Sequence, residues 1–174
     1  MSDQTHLKSP DPRLIINAVA DILRGKRPNV SISDVLNDHP DMGKRLCDYI
    51  DQRFVACTLA PSAVEHEGVF WEAIASILVS IDTSQRAAVL DLFFEVQDPK
   101  TVYHVLARVL REVFFPSMLE PVLLQKIQSD DPRVRANAVE MDYFLFQARS
   151  HFSMSPAGRA QFNALAARAG SPAA

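Results

Sequence analysis

The sequence predicts an all-α fold, a single domain of about seven or eight helices arranged as stacked antiparallel helix pairs or as an irregular helical bundle. Three observations carry this. Apolar residues recur at three- and four-residue steps in one segment after another. Asp-Pro pairs at 11–12, 98–99 and 131–132 supply repeated helix starts, since the Asp side chain can accept backbone N–H bonds and Pro at the first helical position has no N–H to lose. No run of strict alternation and no Asn-Gly or Asp-Gly hairpin turn occurs.

The first helix begins at Asp11-Pro12 and shows one apolar face, Ile15, Ile16, Val19, Ile22 and Leu23, before Gly25 and Pro28 end it. Ser31 to Leu36 reads as a short helical turn capped by Ser31 or Ser33. A longer helix is expected from Met42 to Cys57, with Leu46, Cys47, Ile50, Phe54 and Cys57 inward. Ala60-Pro61-Ser62 breaks it. From Ala63 to about Ile81 the stripe Val64, Glu67, Trp71, Ile74 and Leu78 predicts another, weakened at Gly68 by roughly 1 kcal/mol relative to alanine. Asp82-Thr83-Ser84 caps a helix over 85–97 with two apolar faces: Ala87, Leu90 and Phe94 on one, Val89, Phe93 and Val96 on the other. Lys100 to Phe115 and Ser117 to Gln128 follow, separated by Pro116. Asp131-Pro132 then opens a second two-faced helix to Arg149, with Val134, Ala138, Met141 and Leu145 opposed by Ala136, Val139, Tyr143 and Phe146. Ser155-Pro156 caps the last helix, around Phe162, Leu165 and Ala169. Two-faced helices call for neighbours on both sides. Residues 1–10 and 170–174 read as flexible ends of one domain over 11–169.

Length and composition narrow the class. A chain of 174 residues with 48% apolar and 22% charged residues is ordinary folded protein and excludes wholesale disorder. Eighteen basic against 21 acidic side chains give a net charge of −3, which weighs against a basic nucleic-acid module. The two cysteines, Cys47 and Cys57, fall ten residues apart in one expected helix. That separation is about 15 Å, too long for a disulfide, and indicates a reducing compartment. The polar start is unlike a secretory signal peptide and no apolar run is long enough to span a bilayer, so a cytoplasmic location without membrane insertion is expected.

Residues 11–19 and 131–139 echo one another, with Asp, Pro, Arg, Asn, Ala and Val at matching positions. A shared solution to starting a helix explains this, as does an eroded repeat. The second copy, with Asp130, Asp131, Pro132, Val134, Arg135, Ala136, Ala138 and Val139, resembles the linker and second-helix opening of HEAT-like helical repeats. The resemblance covers mainly residues 130–139, and it implies stacked helix pairs with a concave protein-binding face.

Chemistry-bearing motifs are sparse. Glu65-His66-Glu67 lacks the second histidine that a zinc helix needs; Phe70 stands there. Asp34, Asp38, His39 and Asp41 crowd a turn without the glycine and terminal glutamate of a calcium loop. Cys47 lies on an apolar stripe, and Cys57 near a helix C-terminus, the wrong end to stabilise a thiolate. There is no Gly-x-Ser-x-Gly elbow and no Gly-rich phosphate loop. No catalytic residue, metal ligand or cofactor is assigned, and the balance leans away from an enzyme. Lys100, His104, Arg108 and Arg111 recur at steps of four, four and three, forming one basic stripe. With Phe115 and Phe93 as candidate exposed anchors, the stripe suggests docking of an acidic partner segment or self-association. The expected function is a non-enzymatic protein-binding module, a small adaptor of bacterial type. Two alternatives stand beside it: an enzyme with an inter-helix pocket near His66 and His104, and a helix-turn-helix DNA binder using Lys44, Arg45 and Arg53. A small-molecule ligand is left open.

Overall fold

A computed structural model describes residues 11–56, 62–147 and 153–170, without the side chains of residues 101, 102, 104 and 105. The expected flexible N-terminus, residues 171–174, Cys57 and the His104 side chain therefore lie outside the described residues. The chain is all-α, with nine α-helices and no strand among the described residues. Contacts divide it into two compact units, one ending at Phe93 and one beginning at Phe94.

The first unit contains α1 (Pro12–Leu23), α2 (Ile32–Asn37), α3 (Met42–Ile50), α4 (Gly68–Ser80) and α5 (Thr83–Phe93). Asp11 caps α1 through a 2.9 Å bond from the Arg13 N–H, as the Asp-Pro signal requires. At the other end Gly25 takes a φ of 74°, and the N–H groups of Gly25 and Lys26 bind the carbonyls of Ile22 and Asp21, each at 2.9 Å. Ser31, rather than Ser33, caps α2, in a reciprocal capping box with Asp34. α1 lies against α4 and α3 against α5. Ile15, Ile16, Leu46, Ile50, Phe54, Trp71 and Ile74 fill the core. Arg86 of α5 donates to the carbonyls of Leu78, Val79 and Ile81 at 2.8, 3.3 and 3.2 Å, satisfying the orphan carbonyls at the end of α4.

Two sequence expectations fail here. The helix from Met42 does not stay α-helical to Cys57: Asp51–Val55 form a π-helical turn, closed by a 2.7 Å bond from the Ala56 N–H to the Asp51 carbonyl. The helix expected from Ala63 begins only at Gly68. Residues 62–67 form turns instead, because the Glu65 carboxylate turns back to accept the Ser62 N–H at 2.8 Å. Val64 and Glu67 are consequently exposed rather than on an inward stripe.

The second unit contains α6 (Pro99–Val113), α7 (Pro116–Lys126), α8 (Pro132–Asp142) and α9 (Pro156–Ala169). α8 packs on α6, α7 and α9 around Leu106, Leu110, Leu123, Ala138 and Met141. Asp131 caps α8 as Asp11 caps α1, with the Arg133 N–H at 2.8 Å. The echoed segments thus make the same local bond. Asn137 is buried and its amide donates to the carbonyls of Phe94 and Val96 at 2.8 and 2.9 Å, pinning the chain ahead of α6. After α8 the chain again makes a π-helical turn, Tyr143–Gln147, rather than continuing as α-helix to Arg149. The second apolar face expected on α8 is not covered: Ala136, Val139 and Tyr143 are exposed, and only Phe146 turns inward. The helix expected to reach Gln97 stops at Phe93.

Candidate functional site

The most developed polar constellation lies in the first unit and was not singled out from the sequence. Glu65 is buried. Its Oε1 accepts from Tyr49 Oη at 2.5 Å and Arg53 Nε at 2.8 Å; its Oε2 accepts from Arg53 Nη2 at 2.8 Å and the Ser62 N–H at 2.8 Å. Trp71 donates its indole N–H to the Glu65 carbonyl. The π-helical turn displaces residues after Ile50 from ordinary helical phase, and Arg53 meets the carboxylate there in bidentate fashion. Around the ion pair Tyr49, Phe54, Phe70 and Trp71 form a chain of rings with centroids 5.5–6.3 Å apart.

The electrostatics follow from these contacts. Burial alone would raise the Glu65 carboxyl, but the bonds from Arg53, Tyr49 and the Ser62 amide outweigh it and hold the group below its ordinary range. Tyr49 moves the other way, pushed far up by burial and then by its bond to the Glu65 anion. Glu65 is therefore a fixed anion at neutral pH and Tyr49 a fixed neutral phenol. Neither is tuned for proton transfer near pH 7.

An open groove runs along this constellation. Its larger part, about 670 Å³, lies between Leu14, Asn17, Ser62, Val64, Glu65 and Phe70. A smaller part of about 510 Å³ extends past Pro12, Arg45, Asp48 and Gln52. Asp11, Arg13, Tyr49 and Arg53 border both. Arg13 reaches the Asp11 carboxylate at 3.1 Å with its side chain 65% exposed. That guanidinium pulls the Asp11 carboxyl down, while the carboxylate raises Arg13.

The basic stripe is only partly assembled. Lys100 is exposed on α6. Arg108 pairs with Glu112 one turn on, at 3.5 Å. Arg111 departs from the expectation: it turns inward and donates to the Phe144 carbonyl at 3.0 Å, because the π-helical turn presents that carbonyl to it. Phe115, between α6 and α7, is 73% exposed, with Met118 also exposed in the next turn. Phe93 is not an exposed anchor: it is wholly buried at the end of α5 and belongs to the other unit.

The remaining candidates are dispersed. His66 is exposed, Glu67 pairs with Arg24, and His39 is buried. Asp34 is used in the α2 capping box and Asp41 binds Arg45 at 2.8 Å. Of the three cations in the helix-turn-helix alternative, Arg45 and Arg53 are both engaged by carboxylates and only Lys44 stands on the exposed surface. The half-buried Cys47 thiol is pushed up by burial and by Asp48, which disfavours the nucleophilic thiolate. No group of three or more His, Cys, Asp or Glu side chains converges as a metal site among the described residues. No helix among them is long and apolar enough to cross a membrane. No protein-family model matches the chain, and no curated protein or solved structure matches it.

Periodicity could not have found Glu65. The neighbouring Glu67, which lies on the helical stripe, was the acidic residue that pattern favoured, and it sits in water. The available signal was the i, i+3 relation of Ser62 and Glu65 after a Pro, of which the structure makes one half of a capping box, the bond from the Ser62 N–H to the Glu65 carboxylate.

Proposed function

We propose that this chain is a non-enzymatic protein-interaction module, a cytoplasmic adaptor that engages a partner through the helical surface of its second unit. Phe115 carries the reading. A phenylalanine at 73% exposure forgoes roughly 1.5–3 kcal/mol of burial. Next to exposed Met118, it is the type of anchor on which binding energy concentrates. The preceding helix contributes Lys100 and Arg108, so the partner segment that fits is acidic with one large apolar side chain. The polar constellation of the first unit favours binding over catalysis, since its buried acid is held permanently as an ion pair. We also read α7 and α8 as one HEAT-like pair. In support, Arg135 donates to the carbonyls of Ser129 and Asp130 at 2.6 and 3.0 Å, closing the turn between the helices.

The test is selection of a random displayed peptide library on the full chain. Acidic peptides carrying Leu or Phe should be enriched, and both Phe115→Ser and the double variant Lys100→Glu/Arg108→Glu should weaken them at least tenfold while leaving the melting temperature unchanged. Peptides without acidic enrichment, or peptides that bind these variants as tightly as the parent, would overturn the proposal.

A further inference from the structure

We infer that the groove of the first unit is a binding site for a small apolar acid, its carboxylate on Arg13 and its body against Leu14, Val64 and Phe70. This is independent of the docking surface on the second unit. The sign of the ligand follows from how the charges are spent. Glu65, the deep anion, is covered by Arg53, Tyr49 and the Ser62 amide. Asp11 is held by the N–H of Arg13 as the α1 cap. The first N–H groups of α1 are taken as well: Pro12 has none, Arg13 donates to the Asp11 side chain and Leu14 to the Asp11 carbonyl at 3.1 Å. Recognition by the helix terminus is thereby closed off, and the cation at the groove mouth is the Arg13 guanidinium.

Arg13 can be recruited. Its bond to Asp11 is an exposed ion pair, a weak class of interaction, and Asp11 keeps its capping bond if the guanidinium swings to a ligand. A guanidinium presents a planar fork that matches a carboxylate. Beyond it the groove offers Leu14, Val64 and Phe70 as apolar lining, beside the polar Asn17 and Ser62 and the mutually paired Glu65 and Arg53. The groove volume of about 670 Å³ is in the range that encloses small ligands. The carboxylate could belong to a free acid or to the C-terminus of a peptide; both offer the same chemistry.

The experiment is amide-resolved NMR titration of the full chain with 4-phenylbutyrate, 4-phenylbutanamide and 4-phenylbutylamine, and with Ala-Ala-Phe bearing a free or an amidated C-terminus. Saturable shifts at Arg13, Tyr49, Ser62 and Val64 are expected with the acid, at least tenfold weaker with the amide and the amine. Arg13→Gln, at an exposed side chain, should weaken the acid tenfold and leave the amide unchanged. Tighter binding of phenylbutyrate than of the free-carboxylate peptide identifies a free acid as the ligand, and the reverse order identifies a chain terminus; either supports the site. No saturable shift, equal binding of acid and amide, preference for the amine, or an acid affinity untouched by Arg13→Gln would overturn it.

Discussion

Replacing Glu65 by Gln tests the electrostatic core of the first unit with almost no change of shape. The carboxylate accepts four hydrogen bonds of 2.5–2.8 Å, two of them from Arg53, whose side chain is only 18% exposed. The amide removes the negative charge and turns one acceptor into a donor facing other donors. Breaking a buried ion pair from one side costs about 3–5 kcal/mol, because the surviving charge stays in a low-dielectric setting. That is a large part of the ~5–15 kcal/mol by which domains are stable. With a urea dependence of about 1.5 kcal/mol/M, a loss of about 3 kcal/mol moves the midpoint down by about 2 M. Fluorescence of the single tryptophan reads this directly, since Trp71 is buried and bonded to the Glu65 backbone. The triple variant Tyr49→Phe/Arg53→Met/Glu65→Leu removes both charges and the phenol hydroxyl together and should recover at least half the loss. The pH dependence has a definite sign. Glu65 is depressed below its ordinary value of 4.5, so its contribution is complete above that pH and fades as pH falls through the lower folded value. The gap between parent and Glu65→Gln should stay constant from about pH 6 to 8 and close in acid. A loss under about 1 kcal/mol, or a triple variant no more stable than Glu65→Gln, would refute the reasoning.

Two further outcomes follow from the second unit. Asn137→Leu leaves the carbonyls of Phe94 and Val96 without their amide donor, and thermal unfolding followed by circular dichroism should show a loss of about 2–4 kcal/mol. Asp131→Ala removes the α8 cap and should cost about 1 kcal/mol in urea titration, most of it restored by Asp131→Ser, which can accept the same N–H.

Helix starts were the most legible feature of the sequence. Asp11-Pro12 and Asp131-Pro132 each make the expected bond between residues two apart, while Asp98-Pro99 starts α6 without a side-chain cap bond. The inward stripes were readable at Ile15, Ile16 and Val19 of α1 and at Leu46 and Ile50 of α3, whereas Leu23, expected inward at the end of α1, is exposed and Ile22 and Cys47 are only half-buried. Failures came where a distant group competes with the local preference. Residues 62–67 have helical spacing, yet Glu65 is drawn to Arg53, twelve residues earlier. Arg111 has the position of a surface cation, yet a carbonyl 33 residues later turns it inward. The pair of Asp142 and Arg159, joined at 2.8 and 2.9 Å, is likewise invisible to a helical pattern, because its members lie on different helices. The π-helical turns at 51–55 and 143–147 have no residue signature of their own, and each carries its own side chains out of the phase that periodicity assumes.

The Asn137 clamp also bears on where the chain can be cut. Asp98-Pro99 looks like the natural place to begin an isolated C-terminal half, since a helix starts there. A fragment beginning at that point would lack Phe94 and Val96, both wholly sequestered, and would strand the carboxamide that holds them. The irregular segment 94–98 just upstream of α6 is thus an integral wall of the second half, and a protease nick within it should loosen α8 from a distance along the chain.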